Sequence, residues 1–365
     1  MLGHRRAGIT LLEVLVVIAI IIVLMGLLMP AMHSSHTEYS RTECANNLRN
    51  LALAAVEYEV ANGELPGYLH DFGTFPGGPD PSEPLGDEHP VGAHAKIGTW
   101  AIPLMPYLGH QPIYEHWSED EYPLLSSVSM VDGTYNRRAL PNLPTFICPK
   151  SPGEAKGIAR NSYVANCGVT GTTPLPFAEA SKTANGAFNN KYGGPSMLGD
   201  VTPTGPPIRI DDFRDGTSTT LLFTENLQAQ PWHCISFEPM RSNAAPSQVM
   251  LNPRKFLEPS LAKHYTGIVW HHYDEEYSNP PPPQVLINSD RSTAAISFSG
   301  TDQMNALYAR PSSAHRSGVN ASLADGSVRF LSDDIDYRTY QAMLTLHGKG
   351  SNVPNPGFVP STDTL

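Results

Sequence analysis

The stretch from Ile9 to Met29 constrains this chain more than any other: 21 residues, ITLLEVLVVIAIIIVLMGLLM, with a single charge, Glu13. At about 1.5 Å per residue a helix of that length covers roughly 31 Å, the hydrocarbon thickness of a bilayer. Arg5, Arg6 and the free α-amine precede it. The positive-inside rule then keeps residues 1–8 in the cytoplasm and sends the chain after Pro30 across the membrane. A secretory signal peptide fits poorly, because its apolar core spans only about 7 to 15 residues and a small-x-small site follows; here PAMHSSH follows. A plain anchor accounts for the length but not for Glu13. A carboxylate inside a spanning segment costs roughly 2 to 3 kcal/mol or more and asks for a partner.

The basic leader, Gly8, the hydrophobic Ile9 and Thr10-Leu11-Leu12-Glu13 together resemble the class III signal of type IV pilins and type II secretion pseudopilins. The resemblance implies that prepilin peptidase/N-methyltransferase, an inner-membrane enzyme, cuts between Gly8 and Ile9 and methylates the new Ile9 amine. Glu13 then becomes the fifth residue of the mature chain, and its implied role is to pair with the Ile9 amine of a neighbouring subunit. Pro30 falls where pilin helices also carry a proline; lacking a backbone donor, it kinks or loosens the helix there. Ile9 stands where phenylalanine is commonest in that family.

After Pro30 the polar run HSSHTEYSRTE leads into CANNLRNLALAAVEYEVANG. Cys44, Leu48, Leu51, Ala55 and Tyr58 recur at helical spacing and draw one apolar stripe. Asn62-Gly63 supplies residues that tolerate a left-handed helix end, and Pro66 prevents continuation. These signals predict one helix from about Thr10 to Ala61, roughly 75 Å long, its first half in the membrane and its second half packed on the domain that follows.

The 365 residues include 34 prolines and 30 glycines but only 16% charged residues, a composition of turns and loops. The net charge is −11; without Arg5 and Arg6 it is 22 basic against 35 acidic residues, or −13. Such an acidic exterior argues against nucleic acid as a partner. Residues 63–98 read as a Gly/Pro/Asp-rich surface excursion, and Trp100 to Trp117 as short helical turns. Strand-like pieces lie at Thr145 to Cys148, Ser162 to Ala165 and Thr219 to Thr224. The hairpin signal is strongest at the end of the domain. There Val319, Ala321 and Leu323 alternate with polar residues, Asp325-Gly326 reads as a two-residue turn needing positive φ, and Val328 and Phe330 alternate again. Asp334 to Leu346 reads as a final short helix.

His315, nine intervening residues, then Asp325-Gly326 resemble the H-x9-D-G motif of a large bacterial family with prepilin-type N-termini and a C-terminal domain of unknown function. Other pieces agree with that family: Cys44-Ala-Asn-Asn-Leu, Phe146-Ile-Cys-Pro, Asn161-Ser-Tyr-Val, and Asp215-Gly-Thr-Ser-Thr-Thr-Leu-Leu with Glu225. The likeness runs from residue 5 to about 345. It implies a pilin-like α+β fold, with the long N-terminal α-helix packed on an antiparallel β-sheet domain, and a surface or secretion-associated protein with no established biochemical activity. The corresponding organisation is a leader at 1–8, an assembly helix at 9–30, the outer half of that helix at 31–62, and a β-rich domain at 63–365.

The four cysteines, Cys44, Cys148, Cys167 and Cys234, allow three pairings, or buried free thiols. Because Cys44 and Cys148 both belong to the family resemblance, it implies a bridge between them and leaves Cys167 with Cys234. His315 and Asp325 would suit a catalytic or metal pair, but a turn alone explains Asp325 and Gly326. Asp333, Asp334 and Asp336, with or without Asp325, would offer oxygens to Ca²⁺, although the motif is not that of the major pseudopilins. No local spacing marks a zinc site, and no nucleophile elbow, P-loop or dinucleotide fingerprint is present. The expectation is therefore no enzyme and no cofactor. The predicted role is a structural subunit of a type II secretion or type IV pilus-like assembly. Its partners would be the peptidase and other pilin-like subunits, and its location the inner membrane, then the periplasm or cell surface. Two rivals stand beside it: a membrane-anchored solute- or glycan-binding module using exposed Trp100, Trp117, Trp232 and Trp270, and a tethered hydrolase using His315 and Asp325.

Overall fold

The computed structural model describes residues 10–82, 90–125, 136–151, 159–170, 175–194, 203–233, 259–273, 280–291 and 307–360, without the side chains of 26–38, 170 and 259–261. The first element, α1 (Leu11–Asn62), is one helix of 52 residues, about 78 Å at the α-helical rise. A reciprocal capping box opens it: the Glu13 N–H donates to Thr10 Oγ1 (3.3 Å) and the Thr10 N–H to Glu13 Oε2 (2.8 Å). Gly63 closes it at φ 77°, its N–H donating to Glu59 O at 2.7 Å. The helix is continuous across Pro30.

The two halves of α1 meet different surroundings. From Leu11 to Met25 the side chains are exposed, Leu11 at 81% and Ile22 at 63%. From Ser40 onward one stripe is buried, with Cys44, Leu48, Leu51 and Ala55 fully covered and Tyr58 half-buried, as the periodicity predicts. No helix among the described residues is long and apolar enough to cross a membrane. The 15 residues from Leu11 to Met25 reach about 22 Å on their own.

Two strands, β1 (Leu69–Phe75) and β2 (His94–Thr99), pair antiparallel, so the Gly/Pro-rich excursion is in part a hairpin. Trp100 to Trp117 forms short helices as predicted, α2 (Ala101–Leu104) and α3 (Gln111–Ser118). The main sheet is built from β3 (Tyr163–Thr170), β4 (Leu221–Glu225), β5 (Gly267–His271), β6 (Gly318–Leu323) and β7 (Val328–Ser332). Its order is β5-β3-β4-β6-β7. The sheet is mixed rather than wholly antiparallel, because β5 runs parallel to β3. Between them in sequence come the short helices α4 (Phe177–Ala180) and α5 (Pro259–Tyr265), and after β7 comes α6 (Tyr337–Leu344), capped by Asp336. Thr145 to Cys148 is not a strand; Pro144–Phe146 forms a 3-10 turn, consistent with the fixed φ of Pro144.

Strand alternation divides the apolar side chains between two faces. Cys44, Leu48 and Leu51 of α1 share a core with Tyr163, Phe223 and Phe146, whereas Val164, Val319, Ala321 and Leu323 pack with Tyr340, Met343 and Leu344 of α6. The four tryptophans that a solute-binding module would expose are all fully buried. Each indole N–H donates to an internal carbonyl: Trp100 to Thr266, Trp117 to Ala139, Trp232 to Pro141 and Trp270 to Asn185, at 2.8–3.3 Å. They are core residues with satisfied polar edges, and the aromatic-lined binding cleft is not made by them.

Several polar groups are enclosed with the core. His94, 3% exposed, accepts the Leu124 N–H at Nε2 (3.0 Å) while Nδ1 faces Gly92 O (2.9 Å). This fixes a neutral tautomer, and burial first of all lowers its pKa to about 4. The unfolded chain therefore binds the proton more readily between about pH 6.5 and the folded value. Stability is expected to fall as pH drops through that window. Thermal unfolding followed from pH 7 to 4 checks this, and His94→Gln should flatten the slope.

Candidate functional site

The family-like sequence pieces converge on one seam, where the outer half of α1 meets the sheet. Cys44 on α1 and Cys148, just past the Pro144–Phe146 turn, form a disulfide with Cα atoms 5.3 Å apart across 104 residues of sequence. Ser162, leading into β3, fixes Cys148 from beneath: its Oγ accepts the Cys148 N–H at 3.0 Å, while its own N–H donates to Phe146 O at 2.8 Å. One turn along α1, Asn47 Nδ2 reaches Pro144 O, Ile147 O and the Tyr163 hydroxyl at 3.3, 3.4 and 3.2 Å. At the ends of the same stripe, Arg41 stacks over the Phe330 ring at 3.8 Å and Glu59 Oε1 accepts the Ile210 N–H at 3.2 Å.

Beside the disulfide lies a buried polar cluster. Glu225 ends β4 and His315 precedes β6; both are 2% exposed, and His315 Nε2 is 3.1 Å from Glu225 Oε1. Cys148 Sγ lies 3.7 Å from His315 Nε2 and 3.9 Å from Glu225 Oε1. Asn320 on β6 holds the carboxylate, its N–H donating to Oε2 (2.8 Å) and its Nδ2 to Oε1 (3.0 Å). The main chain of His315 is fixed in turn. Its N–H donates to Ser313 Oγ (3.1 Å) and its carbonyl accepts from Arg291 Nη1 (3.1 Å). Tyr163 is enclosed against this cluster, and burial, then the Glu225 charge, push its hydroxyl well above the usual tyrosine range.

Asp325 is elsewhere. It sits past the far end of β6, whose six residues span roughly 20 Å, so His315 and Asp325 do not share a cleft and the hydrolase reading fails. The connection is a three-residue loop, Ala324–Gly326, not the expected two-residue turn. Gly326 donates to Leu323 O (3.0 Å) and takes φ 80°, whereas Asp325 keeps an ordinary negative φ. Asp325 Oδ1 accepts from Ser327 N and Oγ (2.9 and 2.6 Å), and the Asp325 N–H donates to Thr217 O (3.1 Å). A Cβ on Gly326 would stand 3.1 Å from Leu53 Cδ2 of α1. The loop thus touches the same helix as the His315 cluster, farther along.

The other candidates separate. Asp333 pairs with Arg291 at 2.9 Å, Asp336 caps α6 and Asp325 closes its own turn, so those carboxylates already serve local structure rather than one cation. Cys167 is a buried free thiol, and Cys234, like Gly8 and Ile9, lies outside the described residues. Among the described residues, one group has the geometry to hold a metal ion: Cys44, Cys148, Glu225 and His315, whose donor atoms lie within 4.8 Å of one another. Local spacing gave no sign of it, because each donor comes from a different segment.

A family model described as "Protein of unknown function (DUF1559)" matches residues 41–338, and one described as "Prokaryotic N-terminal methylation motif" matches residues 3–29. No curated protein and no solved structure matches the chain. The N-terminal match supports a pilin-like chain processed by prepilin peptidase.

The geometry gives the two halves of the H-x9-D-G motif separate duties. His315→Ala strands the Glu225 carboxylate and is expected to cost about 3 to 5 kcal/mol. Asp325→Ala removes turn hydrogen bonds worth about 1 kcal/mol. Denaturant unfolding of both single variants and the double variant should show effects additive within about 0.5 kcal/mol; a coupling well above that means that the pair acts together.

Proposed function

We propose, from the premise that this chain belongs to the DUF1559 family and opens with a prepilin-type methylation motif, that it is a structural subunit of a type II secretion or type IV pilus-like assembly. The observation that carries this reading is the division of α1. Among the described side chains of this continuous helix, a stripe from Ser40 onward is buried against its own domain, while Leu11 to Met25 presents apolar side chains on all sides. A helix apolar all round belongs in a membrane or among other helices. The chain would first sit in the inner membrane with its N-terminus in the cytoplasm and its C-terminal domain outside. After cleavage between Gly8 and Ile9, its apolar half would pass from lipid to the core of an assembly of like helices.

Glu13 is the residue on which such a transfer turns. Within one chain its Oε2 accepts from both the Thr10 N–H and Thr10 Oγ1, at 2.8 and 2.9 Å. These bonds lower the energy of a carboxylate in an apolar setting, and they leave Oε1 as the oxygen we assign to the Ile9 amine of a neighbouring subunit. The role is mechanical rather than catalytic. The tryptophans and the motif residues His315, Asp325 and Gly326 all serve internal packing in this reading.

Intact-mass and N-terminal mass spectrometry of the protein from its native membrane tests it, with a Glu13→Ala variant alongside. A mature chain starting at methylated Ile9 is expected, with the variant processed but missing from sheared surface fractions. An N-terminus that retains the leader would mean an uncleaved anchor and would overturn assembly by this route.

A further inference from the structure

We propose that Cys44, Cys148, His315 and Glu225 form a structural zinc site when the Cys44–Cys148 bridge is reduced. A zinc clasp would then hold α1 to the sheet where a disulfide holds it in the oxidised chain. The proposal stands independently of assembly, because it concerns how the helix is joined to its own domain.

The first argument is chemical. A disulfide has no proton to donate and accepts hydrogen bonds weakly, so nothing in it asks for a carboxylate and an imidazole. Yet Glu225 and His315, both 2% exposed, are set directly against Cys148 Sγ. Apolar residues of similar volume would pack there at lower desolvation cost. Two thiolates, an imidazole and a carboxylate are, by contrast, a complete ligand set for Zn²⁺.

The second argument is geometric. Bonds of about 2.0 Å to N or O and about 2.3 Å to S place tetrahedral donors roughly 3.3 to 3.8 Å apart. Three of the donor separations are already close to this: 3.1 Å from His315 Nε2 to Glu225 Oε1, 3.7 Å from Cys148 Sγ to His315 Nε2, and 3.9 Å from Cys148 Sγ to Glu225 Oε1. The two sulfurs must part, and Cys44 Sγ already lies within 4.8 Å of the other donors. Asn320 already orients the Glu225 carboxylate with two hydrogen bonds, the kind of supporting contact that metal-bound carboxylates have. All four ligand residues are buried, at 0 to 4% exposure. A closed four-ligand site out of reach of substrate is structural, and burial likewise rules out Cys148 as a nucleophile served by His315.

The exchange balances. A phosphine or a dithiol gives two electrons to the S–S bond and becomes a phosphine oxide, with water supplying the oxygen, or a disulfide. The two thiols formed lose their protons to solvent as Zn²⁺ binds, and His315 ligates through Nε2 with its remaining proton on Nδ1.

The test uses the full-length chain in detergent, reduced with a phosphine, stripped with a chelator and titrated with Co²⁺, then Zn²⁺. One metal per chain is expected, with thiolate-to-cobalt charge-transfer absorption displaced by Zn²⁺, and none in the oxidised chain. Asn320→Ala leaves all four donors in place and should weaken zinc binding by about 10- to 100-fold. A reduced chain that keeps its near-UV circular dichroism but takes up no Co²⁺ overturns the proposal, as does a cobalt spectrum without sulfur ligation. If the reduced, metal-free chain loses its tertiary signal, Zn²⁺ must restore it; failure to do so also overturns the proposal.

Discussion

The contact between the outer half of α1 and the sheet is the constraint on which the rest of the structure depends. A helix of 52 residues cannot be held in place by propensity, and its stability comes from the face it buries. Among the described side chains that face runs from Ser40, which is 4% exposed. From there Cys44, Leu48, Leu51, Ala52 and Ala55 supply the apolar contact, while Arg41, Asn47, Leu53 and Glu59 meet fixed partners on either side of it. The contacts come from segments far apart in sequence, so the helix is the piece that brings the domain's parts into register.

The seam is unusually polar for a surface that carries this task. Glu225, His315, Asn320 and Tyr163 lie beneath α1 with their hydrogen-bonding groups turned toward one another rather than toward water. Apolar packing alone would tolerate a helix slid or rotated by a residue. Hydrogen-bonded groups in a low-dielectric interior do not, since a shift leaves a buried donor or charge unmatched at a cost of a few kcal/mol. Asn47, whose Nδ2 reaches Pro144 O, Ile147 O and the Tyr163 hydroxyl, therefore fixes one register of α1 on the sheet, and the Cys44–Cys148 bond fixes it covalently.

Much of this was legible beforehand. The extent of α1 and its Gly63 end, the stripe of α1, strands β4, β6 and β7, and the Cys44–Cys148 bridge follow from periodicity, turn residues and the family-like pieces. What was not legible shares a physical cause. Trp232 and Trp270 sit in irregular sequence without apolar period, so burial decided by tertiary packing leaves no local mark there, whereas Trp100 and Trp117 fall in the stretch that reads as short helical turns. The partners of His315 leave no mark for the same reason. Its neighbour in the motif, Asp325, lies at the opposite end of β6, while its real partners, Glu225 and Cys148, come from strands and turns far away in the chain. The parallel pairing of β5 with β3 follows from a connection that no turn signal announces.

A domain locked to half of a helix gives the other half a definite meaning. Among the described side chains of α1 the buried stripe runs from Ser40 onward and Leu11 to Met25 are exposed, yet the helix is continuous between them, so the domain and the exposed apolar half are joined through a rod rather than a flexible linker. Whatever surrounds Leu11 to Met25 therefore sets the position of the domain as well. A loosened seam would separate the two; a disulfide, the Asn47 hydrogen bonds and a glycine loop pressed against Leu53 all oppose loosening.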